Sequence, residues 1–432
     1  MKKLFVFAIA LLIGGASLPA QDTNYVRQVL NQLASERMHG RGYSFRGDSI
    51  AAQYIRSELR RLGVKPLVEN YFQPYTFSVH SMEGPVKLSI NGKRLKPFDD
   101  FRIPAWSKST WGEHKVLEVP AATILDVDNL KKFLNKHNDR LENIFVLIDF
   151  SNAAVGTDER NEKRINDFLH LLQLRNPFNS RGVIVVRDAL STYSPANTNI
   201  EHKYAYIEVL KSALPPKVKK INCSFFTQFH PQYATQNIYG YIPGEVDTMI
   251  VFGAHYDHLG TMGDSVYFPG AHDNGSGVAS LLDLSRMAVF EKPHYTYVFC
   301  FFSGEEAGLR GSKYAVEHPV FDFSKVRLFI NIDMFCGGDE GIMVFNADAP
   351  ETAHFVERLE KLNKVLEVAP EIRHRQNRPN SDHWWFSQHM PALYFLSMGQ
   401  PYGGYHDPAD TCNRCGLEHY LNYITLISSL AF

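Results

Sequence analysis

The sequence predicts a mostly parallel, doubly wound α/β sheet flanked by helices, with a smaller β-rich α/β domain inserted into it. From about Gln236 onward, short apolar runs alternate with amphipathic helical stretches, the pattern of a sheet covered on both faces. Between about 84 and 225 the texture changes to alternating or fully apolar strand-like runs around one helical stretch. Length agrees with both observations. At roughly 100–200 residues per domain, 432 residues with a 44% hydrophobic share fill more than one core.

The elements follow in order. Lys2 and Lys3, an apolar run over 4–13 and small residues up to Ala20 outline a signal peptide over 1–20, cleaved near Ala20. An exported protein is expected. The segment 21–83 opens the main domain with two helices. Asn24 is placed to cap the first, running to about Glu36, and the second covers 49–62 with Gly63 at its C-terminal cap. At the start of the segment 84–225, Val86, Leu88 and Ile90 alternate with polar residues before Asn91-Gly92, a hairpin turn. Strands are expected at 144–149 and 183–186, with a helix near 162–174 between them. In the segment 226–432, strands are expected at 248–254, 295–302, 326–332 and 392–397, and helices at 277–290, 351–365 and 416–430.

Charge narrows the function. Forty-five Lys and Arg stand against 46 Asp and Glu, which leaves no electrostatic footprint for nucleic acid or an anionic membrane. No run after the signal peptide is apolar for the ~20 residues a membrane span needs. Five cysteines in 432 residues exclude a disulfide-dense scaffold. Cys412-Asn-Arg-Cys415 lacks a second C-x-x-C partner for a zinc tetrad, and reads as a local disulfide or two packed thiols.

The chemistry sits where the predicted strands end. His255-Tyr-Asp257 closes one strand, Glu305-Glu306 follows another and Asp333 a third. Asp273, in Gly270-Ala-His-Asp-Asn-Gly-Ser-Gly277, and His406, in Tyr405-His-Asp-Pro, lie in loops. In doubly wound sheets ligands bind beyond the carboxyl ends of the strands. So many ionisable groups gathered there are costly to bury unless paired or metal-bound. Two histidines with several carboxylates fit zinc. Counting ligands gives one ion to His255, Asp273 and Asp333, and a second to Asp273, Glu306 and His406, with Asp273 bridging. Each ion keeps an open position. Glu305 is then free to act as general base, while Asp257 can accept the second N–H of His255 and Asp410 that of His406. His258, His272 and His383 are read as non-ligands.

These segments, with Asn331-Ile-Asp-Met334 and Ser381-Asp-His383, resemble the co-catalytic di-zinc aminopeptidase family. That family includes secreted bacterial leucine aminopeptidases, aminopeptidase Y and glutamate carboxypeptidases. The likeness is specific over about 236–430. Gly40-Arg-Gly42 resembles the family's usual opening segment, and 84–225 looks like a protease-associated domain. The resemblance implies the same five ligands, two zinc ions per chain, Glu305 as base, and hydrolysis of the N-terminal bond of peptide substrates. It also implies a pocket for the free α-amine, with Asp382 a candidate at its rim. Carboxypeptidase, glutaminyl cyclase and non-catalytic binding roles exist on the same fold and remain alternatives.

Overall fold

A computed structural model describes residues 22–137, 140–151, 159–194 and 200–431. The expected signal peptide and its cleavage point near Ala20 lie outside the described residues. One continuous sheet runs through the molecule. In its larger half the spatial order is Ile372–Arg375, Gly341–Phe345, Ala392–Met398, Val326–Ile332, Val246–His255, Tyr295–Phe302 and Lys220–Ile242. The four strands from Ala392–Met398 to Tyr295–Phe302 are parallel to their neighbours within that set. Antiparallel pairing enters on either side, at Gly341–Phe345 and at Lys220–Ile242. Phe299, Cys300, Phe301 and Phe302 are all fully buried, as expected for a parallel strand with helices on both faces.

The segment 84–225 builds the smaller half on the same sheet. Strands Thr110–Pro120, Ile144–Asp149, Gly182–Arg187 and Ala205–Leu210 are parallel in that order, and Phe101–Arg102 closes the edge antiparallel. Two long strands join the halves. Phe72–Ile90 has 19 residues and Lys220–Ile242 has 23, and they pair from Phe72↔Ile238 to Ile90↔Ile221. Each passes from one half to the other without a linker. Leu259, Met262 and Phe268, from the loop after Val246–His255, are buried in a core of the smaller half.

Most expected elements form within a few residues of their sequence positions, and some details differ. Asp22, not Asn24, caps the first helix, Thr23–Leu33, because its carboxylate accepts the Asn24 amide at 2.8 Å. Gly63 ends Gly47–Leu62 at φ 82°, the left-handed cap that glycine adopts without Cβ strain. The helix expected over 416–430 is shorter, Tyr420–Ser428.

The cysteines pair differently from expectation. Cys415 bonds Cys336 across 79 residues, and Cys412 is a buried free thiol. The turn Cys412–Arg414 sends Cys412 toward the first helix, where Arg27 Nη1 lies 3.7 Å from its sulfur and donates to the Cys412 and Cys415 carbonyls. A non-reducing peptide map should recover the Cys336–Cys415 pair, with Cys223, Cys300 and Cys412 alkylated as free thiols. Cys336→Ser should cost about 2–5 kcal/mol in denaturant unfolding.

His80 generates a pH prediction. It is buried between the halves, and neither ring nitrogen has a hydrogen-bond partner. Burial, with His202 and His230 nearby, holds its pKa down to about 4. A histidine with a folded-state pKa below its unfolded value of 6.5 favours unfolding once protons become available. Its contribution is therefore complete above pH 6.5 and lost as pH falls toward 4. His80→Leu should flatten the fall of Tm across that window.

Candidate metal centre

Parallel neighbours place their tips about 4.8 Å apart, so side chains just past the strand ends converge. His255 ends its strand, Asp333 follows the adjacent strand, and Glu305-Glu306 follow the strand on the other side. Asp273 comes from the turn Ala271–Gly275 that leads into helix Ser276–Glu291. His255 Nε2 lies 3.3 Å from Asp333 Oδ1, 3.4 Å from Asp273 Oδ1 and 4.0 Å from Glu305 Oε2. His406 Nε2 lies 3.3 Å from Asp273 Oδ2 and 3.2 Å from Glu306 Oε2. The two oxygens of Asp273 thus face opposite groups. All five residues expected as ligands, and Glu305, are brought together.

The structure adds His258, which sequence reading set aside. Its Nδ1 lies 2.8 Å from Glu306 Oε1 and 4.0 Å from Asp273 Oδ2. Polar atoms of His258, Asp273 and Glu306 lie within 4.8 Å of one another, as do those of His255, Glu305 and Asp333. The only sequence signal for His258 was its place directly after Asp257. His272 has a different task, its Nδ1 accepting the Cys336 amide at 3.1 Å.

Two orienting roles are corrected. The partner of His255 Nδ1 is the backbone carbonyl of Asp257 at 3.1 Å, and the Asp257 carboxylate is 3.8 Å away. That carboxylate instead accepts the Tyr43 hydroxyl at 2.7 Å and the Glu305 and Glu306 amides at 3.2 and 3.3 Å. It therefore fixes the backbone of the Glu pair. Asp410 does not reach His406 either. Its carboxylate accepts the His272 and Asp273 amides, at the turn entering helix Ser276–Glu291. His406 Nδ1 meets the Tyr193 carbonyl at 2.8 Å. Asp382, the candidate for the rim of the amine pocket, is fully buried at the start of His383–Phe386.

Burial and the close packing of charged groups set the electrostatics. Burial, reinforced by Glu306, Asp333 and Asp382, raises Glu305 well above the usual carboxylate range against the opposing pull of His255. Burial lifts Asp257 to about 6 and Asp382 to about 7. Burial also opposes the charged form of His406, yet Glu306 and Asp273 carry it up to about 11. Glu306 is drawn down to about 2 although burial and Asp273 act the other way, with His406 and His258 supplying the pull. His258 Nε2 is buried with no hydrogen-bond partner. Imidazole and carboxylate donors, surplus negative charge and a ring nitrogen without a partner fit zinc.

Arg41 holds the loops beneath this cluster. Fully buried, it donates Nε to the Tyr256 carbonyl at 2.9 Å, Nη1 to Leu33 and Pro269, and Nη2 to Gly270 and Asp273 at 2.7 and 3.1 Å. Its glycine neighbours allow the approach. A Cβ on Gly40 would sit 2.2 Å from the Gly260 carbonyl oxygen. Arg41→Met should cost about 3–5 kcal/mol in urea unfolding, since buried carbonyls lose a charged donor. Arg41→Lys should recover only part, because an ammonium cannot reproduce the planar fork.

Fold and donor set together define a metallo-exopeptidase hydrolase. Residues 237–431 match Peptidase family M28. The probable leucine aminopeptidase of Arthroderma otae is 25% identical over 258 residues, covering 57% of this chain and 69% of that protein. Aminopeptidase Y of Saccharomyces cerevisiae is 31% identical over 120 residues, covering 28% of this chain and 21% of that protein. The solved zinc aminopeptidase of Bacillus subtilis shares the fold at 18% identity, with a TM-score of 0.66 over 96% of this chain and 95% of that one.

Proposed function

We propose that the protein is an exported, zinc-dependent aminopeptidase that hydrolyses the N-terminal bond of peptides. The observation that carries this reading is the division of Asp273, with one oxygen toward His255 and the other toward His406. A carboxylate so placed suits a bridge between two ions, one held by His255, Asp273 and Asp333, the other by Asp273, Glu306 and His406. Bound zinc supplies Lewis-acid polarisation of the scissile carbonyl and lowers the pKa of its water. Glu305 takes the proton of the attacking water and returns it to the leaving amine. Asp257 positions Glu305 through its backbone amide, and Tyr43 in turn holds Asp257.

Export accords with the signal-peptide pattern of residues 1–20, and no described helix is long and apolar enough to cross a membrane. A carboxypeptidase would need free basic groups for the substrate carboxylates. Of Arg373, Arg375 and Arg378, the arginines available for such a clamp, Arg373 is engaged by Glu371 at 2.7 Å on strand Ile372–Arg375, at the end of the sheet order.

Purified protein should release p-nitroaniline from amino-acid p-nitroanilides, lose that activity to a chelator and regain it with zinc. Glu305→Gln should lower kcat by about 10²–10⁴ while retaining wild-type zinc content. Absence of release from protein holding two zinc ions per chain would overturn the aminopeptidase reading.

A further inference from the structure

We propose that the smaller half of the sheet is a working part of the metal centre, because Tyr193 supplies the group that orients His406. This inference rests on His406 being a zinc ligand. Tyr193 belongs to the segment 84–225, while His406 lies 213 residues further along the chain, yet the Tyr193 carbonyl accepts from His406 Nδ1 at 2.8 Å. A donor fixed at Nδ1 leaves the Nε2 lone pair available, and that atom faces Asp273 and Glu306. His406 needs such outside support. Its backbone sits at φ 53°, the left-handed region that a non-glycine residue occupies at a cost and keeps only when its surroundings demand it.

The position of the carbonyl is itself built. The Tyr193 ring is buried and stacks on Phe268 at 4.7 Å with an interplanar angle of 8°. Phe268 lies just before Gly270, where the Asp273 loop begins, and meets Phe98 edge-on at 5.5 Å. Arg102 sits 4.2 Å over Phe98 and donates to the Ser191 carbonyl. Glu208, on strand Ala205–Leu210, accepts the Ser191 amide at 3.1 Å and its hydroxyl at 2.8 Å. Contacts therefore run from a strand of the smaller half to His406. The Phe268 stack also ties Tyr193 to the loop that carries Asp273, so two ligands of one proposed ion depend on the same packing.

The test is zinc retention by the full chain, measured by competition with a chromogenic chelator. Tyr193→Gly frees the carbonyl, and Phe268→Leu removes the stacking partner from the other side. Each should weaken the zinc ion held by His406 by about 10- to 100-fold, the usual effect of losing an orienting contact. Tyr193→Phe keeps the ring and should restore tight binding. In cobalt-substituted protein the same two variants should alter the visible absorption of one site. Should Tyr193→Gly fail to fold, Phe268→Leu decides the matter. Folded variants that hold both ions as tightly as wild type overturn the inference. His406→Ala separates the two readings. If it too keeps both ions, the ligand assignment falls and the inference with it; if it loses one while the Tyr193 and Phe268 variants lose none, the inference alone falls.

Discussion

Repulsion between carboxylates is the constraint on which the rest of this structure depends. Glu305, Glu306 and Asp333 at the tips of adjacent strands converge with Asp273 from the turn Ala271–Gly275, and Asp257 and Asp382 are buried nearby. Water is largely excluded, so each negative charge strengthens the penalty on its neighbours. The surrounding residues answer that penalty one by one. His255 and His406 stand between the carboxylates, His258 holds Glu306, and Ser381 donates to Asp333 at 2.7 Å. Backbone amides at the Glu pair and at the Asp273 turn are spent on Asp257 and Asp410. Burial first, and the neighbouring carboxylates after it, raise the proton affinities of Asp257, Asp382 and Asp410.

Arg41 is instructive because it is cationic and close, yet aims its donors at carbonyls rather than at carboxylates. Its charge offsets the field of the cluster from below, while its geometry clamps three segments of chain. Asn274 acts similarly from the Asp273 loop. Its amide donates to the Ile332 carbonyl, and its oxygen accepts the Gly277 and Met334 amides. Loop and strand end are locked together, which fixes Asp273 relative to Asp333.

Much of this was legible in the sequence, for a physical reason. The strands Tyr295–Phe302 and Val326–Ile332 are uniformly apolar because both their faces are covered, so their ends are sharp, and the acids just beyond stand out. The long strands Phe72–Ile90 and Lys220–Ile242 were not legible as such. The first carries two prolines and the second one, and the pairing slips between Phe77 and Val79. The partners of the ligands were misjudged in a consistent way. Nearby carboxylates, Asp257 and Asp410, were chosen for tasks that backbone carbonyls perform. A carbonyl has no sequence signature, and the one from Tyr193 arrives through tertiary packing. The contact of His258 with Glu306 was not legible, because a histidine beside a motif looks the same whatever its side chain meets.

The two long shared strands have a consequence for how the chain can assemble. Phe72–Ile90 and Lys220–Ile242 are separated by more than a hundred residues, so their pairing closes a very long loop, and such non-local contacts form late and slowly. Until Lys220–Ile242 is seated, Tyr295–Phe302 presents an unpaired, strongly apolar edge, the kind of surface that recruits other chains. A fragment beginning at residue 243 would keep the family's histidines and acids, yet expose that edge permanently. The two halves are thus tied together in folding: the strand that joins them, Lys220–Ile242, is also the cover of that apolar edge.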